Sequence, residues 1–164
     1  MKTNKNSPNP NRKVSSDIKI NIDVRCDVID FSRRKFADII KKTAQKFGLK
    51  NAVINFAVVD DAQIVCMNHQ FLKKKKITDV ISFDLSGSNS DKKVFDIAVN
   101  AQLAQRQAVI KKHGEQAELA LYFLHGLLHQ LGFDDLTAAD AAKMHKTEDK
   151  ILEEFGYGKV FSGR

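Results

Sequence analysis

His125 and His129 stand four residues apart in the stretch Leu124-His125-Gly126-Leu127-Leu128-His129-Gln130-Leu131-Gly132-Phe133-Asp134-Asp135. On a helix that spacing sets both imidazoles on one face, within reach of a single metal ion. Gly132 can take the left-handed conformation that ends a helix, which lets the chain turn back and bring a carboxylate, Asp134 or Asp135, to the same ion. The neighbouring residues are almost all apolar. A buried imidazole with an unsatisfied nitrogen costs about 1–3 kcal/mol, and one ion satisfies two rings at once. The competing reading is a pair of core histidines satisfied by their neighbours, since short motifs also arise by chance. A zinc peptidase also carries histidines at i and i+4, but it needs a glutamate directly after the first. Gly126 holds that position here.

The histidine helix is predicted over residues 115–131, and its apolar residues, from Ala117 through Leu131, leave little polar face. It must therefore be a central, buried helix. Ahead of it the chain alternates strand and helix. Ile18, Ile20, Ile22 and Val24 recur with period two and predict a first strand. A helix from Asp30 carries Phe31, Phe36, Ile39, Ile40, Ala44 and Phe47, with Gly48 as its stop. Residues 53–59 predict a second strand. Asp60 or Asp61 caps a short helix that carries Ile64, Val65, Met67 and Asn68 toward Phe71. Residues 80–83 and 94–99 predict two more strands around a Gly/Ser-rich loop, and residues 101–112 a further helix. Thr137, with Asp140 three residues on, caps a last helix whose apolar positions are Ala141, Met144, Ile151, Leu152 and Phe155. His145 on that helix reads as a surface or supporting histidine. His69 and His113 carry no partner signature.

The chain has 164 residues, 43% of them apolar, enough for one good core and too few for two comfortable domains. Residues 1–17 hold both prolines, lack apolar periodicity and are predicted to be a disordered basic tail; residues 18–164 form a single domain. No run is apolar enough to cross a bilayer, and the start lacks the apolar centre of a secretory signal, so the reading is of a cytoplasmic protein with no membrane partner. Cys26 and Cys66 make no disulfide framework and read as small buried hydrophobes. A formal net charge of +7 favours an acidic partner, nucleic acid first. Most basic clusters read as solvated faces. The run Lys73, Lys74, Lys75 and Lys76 is set apart by its place, just ahead of a strand.

His125-Gly126-Leu127-Leu128-His129-Gln130-Leu131-Gly132-Phe133-Asp134-Asp135 resembles the signature of the YbeY family, His-Gly-x-x-His-x-x-Gly-Tyr-Asp-His. Met67-Asn68-His69-Gln70-Phe71, Thr78-Asp79-Val80-Ile81-Ser82-Phe83 and Asp96-Ile97-Ala98-Val99 resemble further family elements in the same order. The resemblance spans roughly residues 18 to 157 and implies a single-metal endoribonuclease of ribosomal RNA maturation and ribosome quality control. It implies an α+β domain, a small mixed sheet of about four strands packed with helices, with the histidine helix at its centre. It implies His125, His129 and Asp135 as ligands of one divalent ion, zinc first, with Asp134 beside them to orient a ring or accept a proton, or equally to serve as a carboxylate of the turn. Lys73 to Lys76 would bind the RNA backbone, and the ribosome would be the larger partner. Four departures mark a divergent member: Asp135 stands where the family has a third histidine, Leu72 where it has an arginine, Ile77 where a proline is usual, and Phe95 where it has a glycine. The alternative is an RNA- or ribosome-binding assembly factor of the same fold with weak or lost catalysis.

Overall fold

The structure is a computed structural model and describes residues 16–161. The expected tail lies outside the described residues except for Ser16 and Asp17, and Asp17 already belongs to the first strand. Four strands, β1 (Asp17–Val24), β2 (Asn51–Val59), β3 (Val80–Asp84) and β4 (Lys93–Asn100), form one sheet in the order β1-β2-β4-β3. β1, β2 and β4 run parallel and β3 pairs antiparallel to β4, so the sheet is mixed. The helices are α1 (Arg33–Lys46), α2 (Asp61–Leu72), α3 (Ala101–Lys111), α4 (Glu115–Gln130) and α5 (Ala138–Glu154). The α+β class and the four-stranded mixed sheet agree with the sequence reading. No helix among the described residues is long and apolar enough to cross a membrane.

α4 is the inner helix. Eleven of its residues are buried, and it packs on β3 and β4 with α1, α3 and α5 around it. Phe56, Phe95, Ile97 and Phe123 are at the centre of that core. α2 covers part of the opposite sheet face through Ile64, which meets Val59, Ile81 and Ala98. The rest of that face carries a polar ladder across three strands: Asn21 donates to Asn55 at 2.7 Å, and Asn55 donates to Asp96 at 2.7 Å.

Several boundaries differ from the sequence reading for local reasons. α1 starts at Arg33, not Asp30, because the Ser32 hydroxyl accepts from the Lys35 N–H. Phe31 stays outside the helix and packs against Phe36, ring centroids 4.6 Å apart, as a hydrophobic staple. Asp60, not Asp61, caps α2, in a reciprocal capping box with Gln63. Cys26 is buried just past β1, whereas Cys66 faces solvent and is no core residue.

Gly126 fixes how closely α4 approaches the sheet. A Cβ there would come within 2.6 Å of Ile97 Cγ2 and 2.8 Å of Val80 Cγ2. Both atoms are methyls on β-branched strand residues, which have little freedom to retreat. Gly126→Ala is expected to destabilise the fold by about 1–3 kcal/mol through overpacking, outweighing the helix-propensity gain of about 1 kcal/mol. Urea unfolding checks this, and an unchanged or raised midpoint would contradict the close contact.

Candidate metal centre

His125 and His129 leave the last turns of α4 on one face, their rings nearly perpendicular at 87° with centroids 4.6 Å apart. Their Nε2 atoms face each other at 3.1 Å. The far nitrogen of each ring is held by an acceptor: His125 Nδ1 lies 2.7 Å from Glu148 Oε1, and His129 Nδ1 lies 3.2 Å from the Phe133 carbonyl oxygen. An acceptor at Nδ1 fixes the proton there and leaves the Nε2 lone pair free. Two lone pairs pointed at one another at this distance repel unless a proton or a cation lies between them.

The third group arrives through the end of α4. Gly132 takes φ +91°, its N–H bonds the His129 carbonyl, and the Phe133 N–H bonds the Leu128 carbonyl. This is the Schellman closure, in which a glycine at C′ satisfies the orphan carbonyls of the last turn. Asp134 Oδ1 then accepts from the Asp135 N–H at 2.6 Å and the Leu136 N–H at 3.0 Å. The turn sets Asp135 Oδ2 at 3.7 Å from His125 Nε2 and 3.9 Å from His129 Nε2.

These distances suit an ion. Two ligands about 2.0–2.1 Å from a tetrahedral zinc are roughly 3.3–3.4 Å apart, so the nitrogens already match and the carboxylate needs only a few tenths of an ångström. Among the described residues, His125, His129 and Asp135 are the one group whose ligand atoms gather within 4.8 Å. The donor set of two imidazoles and a carboxylate is one that zinc and other first-row ions accept. Asp134, expected to orient a ring, accept a proton or shape the turn, binds its own turn through Oδ1 and lines a separate pocket with Asp140 and Lys143. The side chain after His125 could not be a glutamate base either, because position 126 abuts the sheet.

Glu148 was not singled out by sequence reasoning. It is fully buried, and its second oxygen lies 2.8 Å from His145 Nδ1, so one carboxylate holds rings on two helices. The signal was present: position 148 falls on the stripe Met144, Ile151 and Leu152 that buries α5, and an acid on such a stripe must be paired. His145 is thus a supporting residue, its ring also stacked on Phe161. His113, given no role from sequence, pairs with buried Glu118.

Of the lysine run, Lys74 and Lys76 line a cleft of about 450 Å³ together with Leu72, Thr78, Asp79, Ser82, His125, His129 and Asp135. Lys73 caps α2 in the left-handed conformation and turns its ammonium back onto the Gln70 carbonyl. Lys75 is exposed and does not line the cleft. Asn68, buried in α2, donates to the Lys76 carbonyl at 2.9 Å and so ties the run to its helix.

Burial pushes the His125 imidazole toward neutrality, but the hydrogen bond and charge of Glu148, with the charges of Asp79 and Asp135, outweigh it and raise its pKa above 6.5. In the metal-free protein this contributes stability that is fully present below about pH 6.5 and is lost as pH rises through the raised value. An ion competes with that proton for Nε2, so metal affinity must fall as pH drops through the same window. Glu148→Gln is expected to weaken metal affinity at neutral pH by about 10–100-fold and to lower the pH below which affinity, measured as Kd, falls off through proton competition. Calorimetric metal titration across pH checks both effects, and identical curves for the two proteins would remove Glu148 from the site.

The family model described as Endoribonuclease YbeY matches residues 20–156. Curated relatives named Endoribonuclease YbeY include one from Sulfurovum sp. (strain NBC37-1), 36% identical over 124 residues, covering 73% of this chain and 82% of that protein. Another, from Oceanobacillus iheyensis, is 32% identical over 141 residues and covers 79% and 89%. The solution structure of a protein from Thermotoga maritima shares the fold with a TM-score of 0.55 at 21% identity, covering 84% of this chain and 88% of that one. With its ordered motifs, its inner histidine helix and these matches, the chain belongs to the YbeY endoribonuclease family.

Proposed function

We propose that this protein is a metal-dependent endoribonuclease that acts on ribosomal RNA in maturation and ribosome quality control, in the cytoplasm, with one zinc ion held by His125, His129 and Asp135. The observation that carries the reading is the facing pair of Nε2 atoms, each ring fixed from behind by an acceptor. When bound, such an ion supplies Lewis acidity toward a phosphodiester. The chain's own residues do the rest. Glu148 keeps His125 in the tautomer that can ligate, and the Gly132 turn delivers Asp135. Lys74 and Lys76 draw the RNA backbone into the cleft by charge. Lysine gives a point attraction, without the rigid fork that would orient a phosphate.

A second reading has a specific observation in its favour. Leu72 lines the same cleft, is 46% exposed and offers no hydrogen-bond donor, which suits an RNA-binding assembly factor whose cleavage has weakened. Lys73 and Lys75 would then add charge at the rim.

His129→Ala is expected to lose stoichiometric metal, measured by elemental analysis, and chelator-sensitive RNA cleavage together. Retained metal in that variant would count directly against the triad. Leu72→Arg restores a planar donor at the cleft and is expected to raise cleavage several-fold with metal content unchanged. A fall in cleavage would place Leu72 away from the reacting phosphate, and cleavage absent from both proteins would favour the assembly factor.

A further inference from the structure

The cleft does not end at His125. Behind that ring lies a second cavity of about 350 Å³, walled by α3, α4, α5 and Phe161. It shares Thr78, Asp79 and His125 with the lysine-walled cleft, so the two chambers meet at the candidate metal centre. The inner chamber differs in charge from the outer one. Glu118 and Glu148, both fully buried, and Asp79 contribute to its wall, with Lys111 as its lysine. Glu118 is engaged by His113 and Lys111, and Glu148 by His125 and His145.

Asp79 is held differently. Its Oδ1 accepts from the Thr78 hydroxyl at 3.0 Å and from the Val80 N–H at 2.9 Å. Its carbonyl oxygen accepts from the N–H of Asn100, whose fully buried side chain also donates to the Thr78 carbonyl. The backbone is therefore pinned and Oδ1 is occupied, which leaves Oδ2 as the oxygen presented to an incoming group.

Charge and size narrow what that group is. The lysine of this wall, Lys111, is already engaged by Glu118, so the chamber sets no spare ammonium toward a phosphate, whereas Lys74 and Lys76 line the outer chamber. A second cation is not indicated, because the acids of the inner chamber do not gather three ligand atoms as the triad does. Ligand pockets run from about 300 to 1,000 Å³, so this one suits a single flat, neutral group of base size. A base hydrogen-bonds through its edge, and a carboxylate oxygen selects an edge that donates.

We propose that the inner chamber receives one nucleobase of the RNA, adjoining the phosphate at the triad, and that Asp79 Oδ2 accepts from the amino group of that base. The proposal rests on the nuclease reading of the cleft. Guanine, adenine and cytosine each carry an exocyclic amino donor. Uracil has none, and its one ring N–H is flanked by carbonyl oxygens that the carboxylate repels. Asp79 is thus a specificity residue that sets the nucleotide tolerated beside the cut.

RNA oligonucleotides that differ only at the nucleotides flanking a mapped cut test this. In the wild type, uridine at one flanking position is expected to lower kcat/KM by about ten-fold or more against the amino-bearing bases. Asp79→Asn keeps its carboxamide oxygen at the Val80 N–H and puts an NH2 group where Oδ2 was. The variant is expected to reverse the preference toward uridine, with metal content by elemental analysis unchanged. Equal cleavage of all four sequences by the wild type, or the same preference in both proteins, overturns the proposal. A binding measurement stands apart from turnover: millimolar cytidine is expected to shift the NMR resonances of Asp79, Gln107 and His145, and uridine to leave them in place. If no oligonucleotide is cut yet cytidine shifts those resonances, the nuclease reading fails and the chamber stands. If RNA is cut without preference and cytidine shifts nothing, the chamber assignment fails and the nuclease reading stands.

Discussion

One buried carboxylate governs the geometry around the two histidines. Glu148 sits at full burial and shares its two oxygens between His125 on α4 and His145 on α5. An ionised carboxylate in such surroundings is costly unless it is hydrogen-bonded on both sides, so the two rings and the acid stabilise one another as a unit. The same contact that satisfies Glu148 fixes which nitrogen of His125 faces the cleft. The packing of α5 and the chemistry of α4 are in this sense one interaction.

The rest of the site follows from how α4 ends and where it lies. A helix that stops in a Schellman closure sends the chain back along its own last turn, and the carbonyl of Phe133 then meets His129. Asp134 serves this reversal by binding two backbone N–H groups, which frees Asp135 to point at the imidazoles. Adjacent acids thus divide the work: one shapes the turn, the other meets the rings.

The sequence made the histidine pair, the Gly132 stop and the inner position of α4 legible, because each depends on local spacing and on a run of apolar residues. The first strand was legible from alternation and the other three from short runs of strand-forming residues, and the mixed pairing came through the resemblance. Tertiary partners were harder to read. Glu148 was passed over although it falls on the α5 stripe, because its partners on two helices are not set by local spacing, and Asp79 was seen as part of a strand motif and not as a wall shared by two chambers. Phe31 read as a helix residue because it opens the apolar series of α1, yet five residues would put it about 140° round a helix from Phe36; the contact is made from outside the first turn, as a staple. Lys73 to Lys76 formed a uniform run in sequence, but the left-handed cap at Lys73 splits them between the helix end and the cleft.

The polar ladder on the outer sheet face bears on all of this from a distance. Asn21, Asn55 and Asp96 can link in a row only when β1, β2 and β4 are aligned as Asn21 opposite Asn55 and Asn55 opposite Asp96. A slip by one residue would turn those polar groups inward and their apolar neighbours outward. Ile97, the residue next to the ladder, is one of the two walls against which Gly126 rests. The row of two carboxamides and a carboxylate therefore works as a gauge that sets how deep the inner helix seats, and with it the height at which the imidazoles emerge.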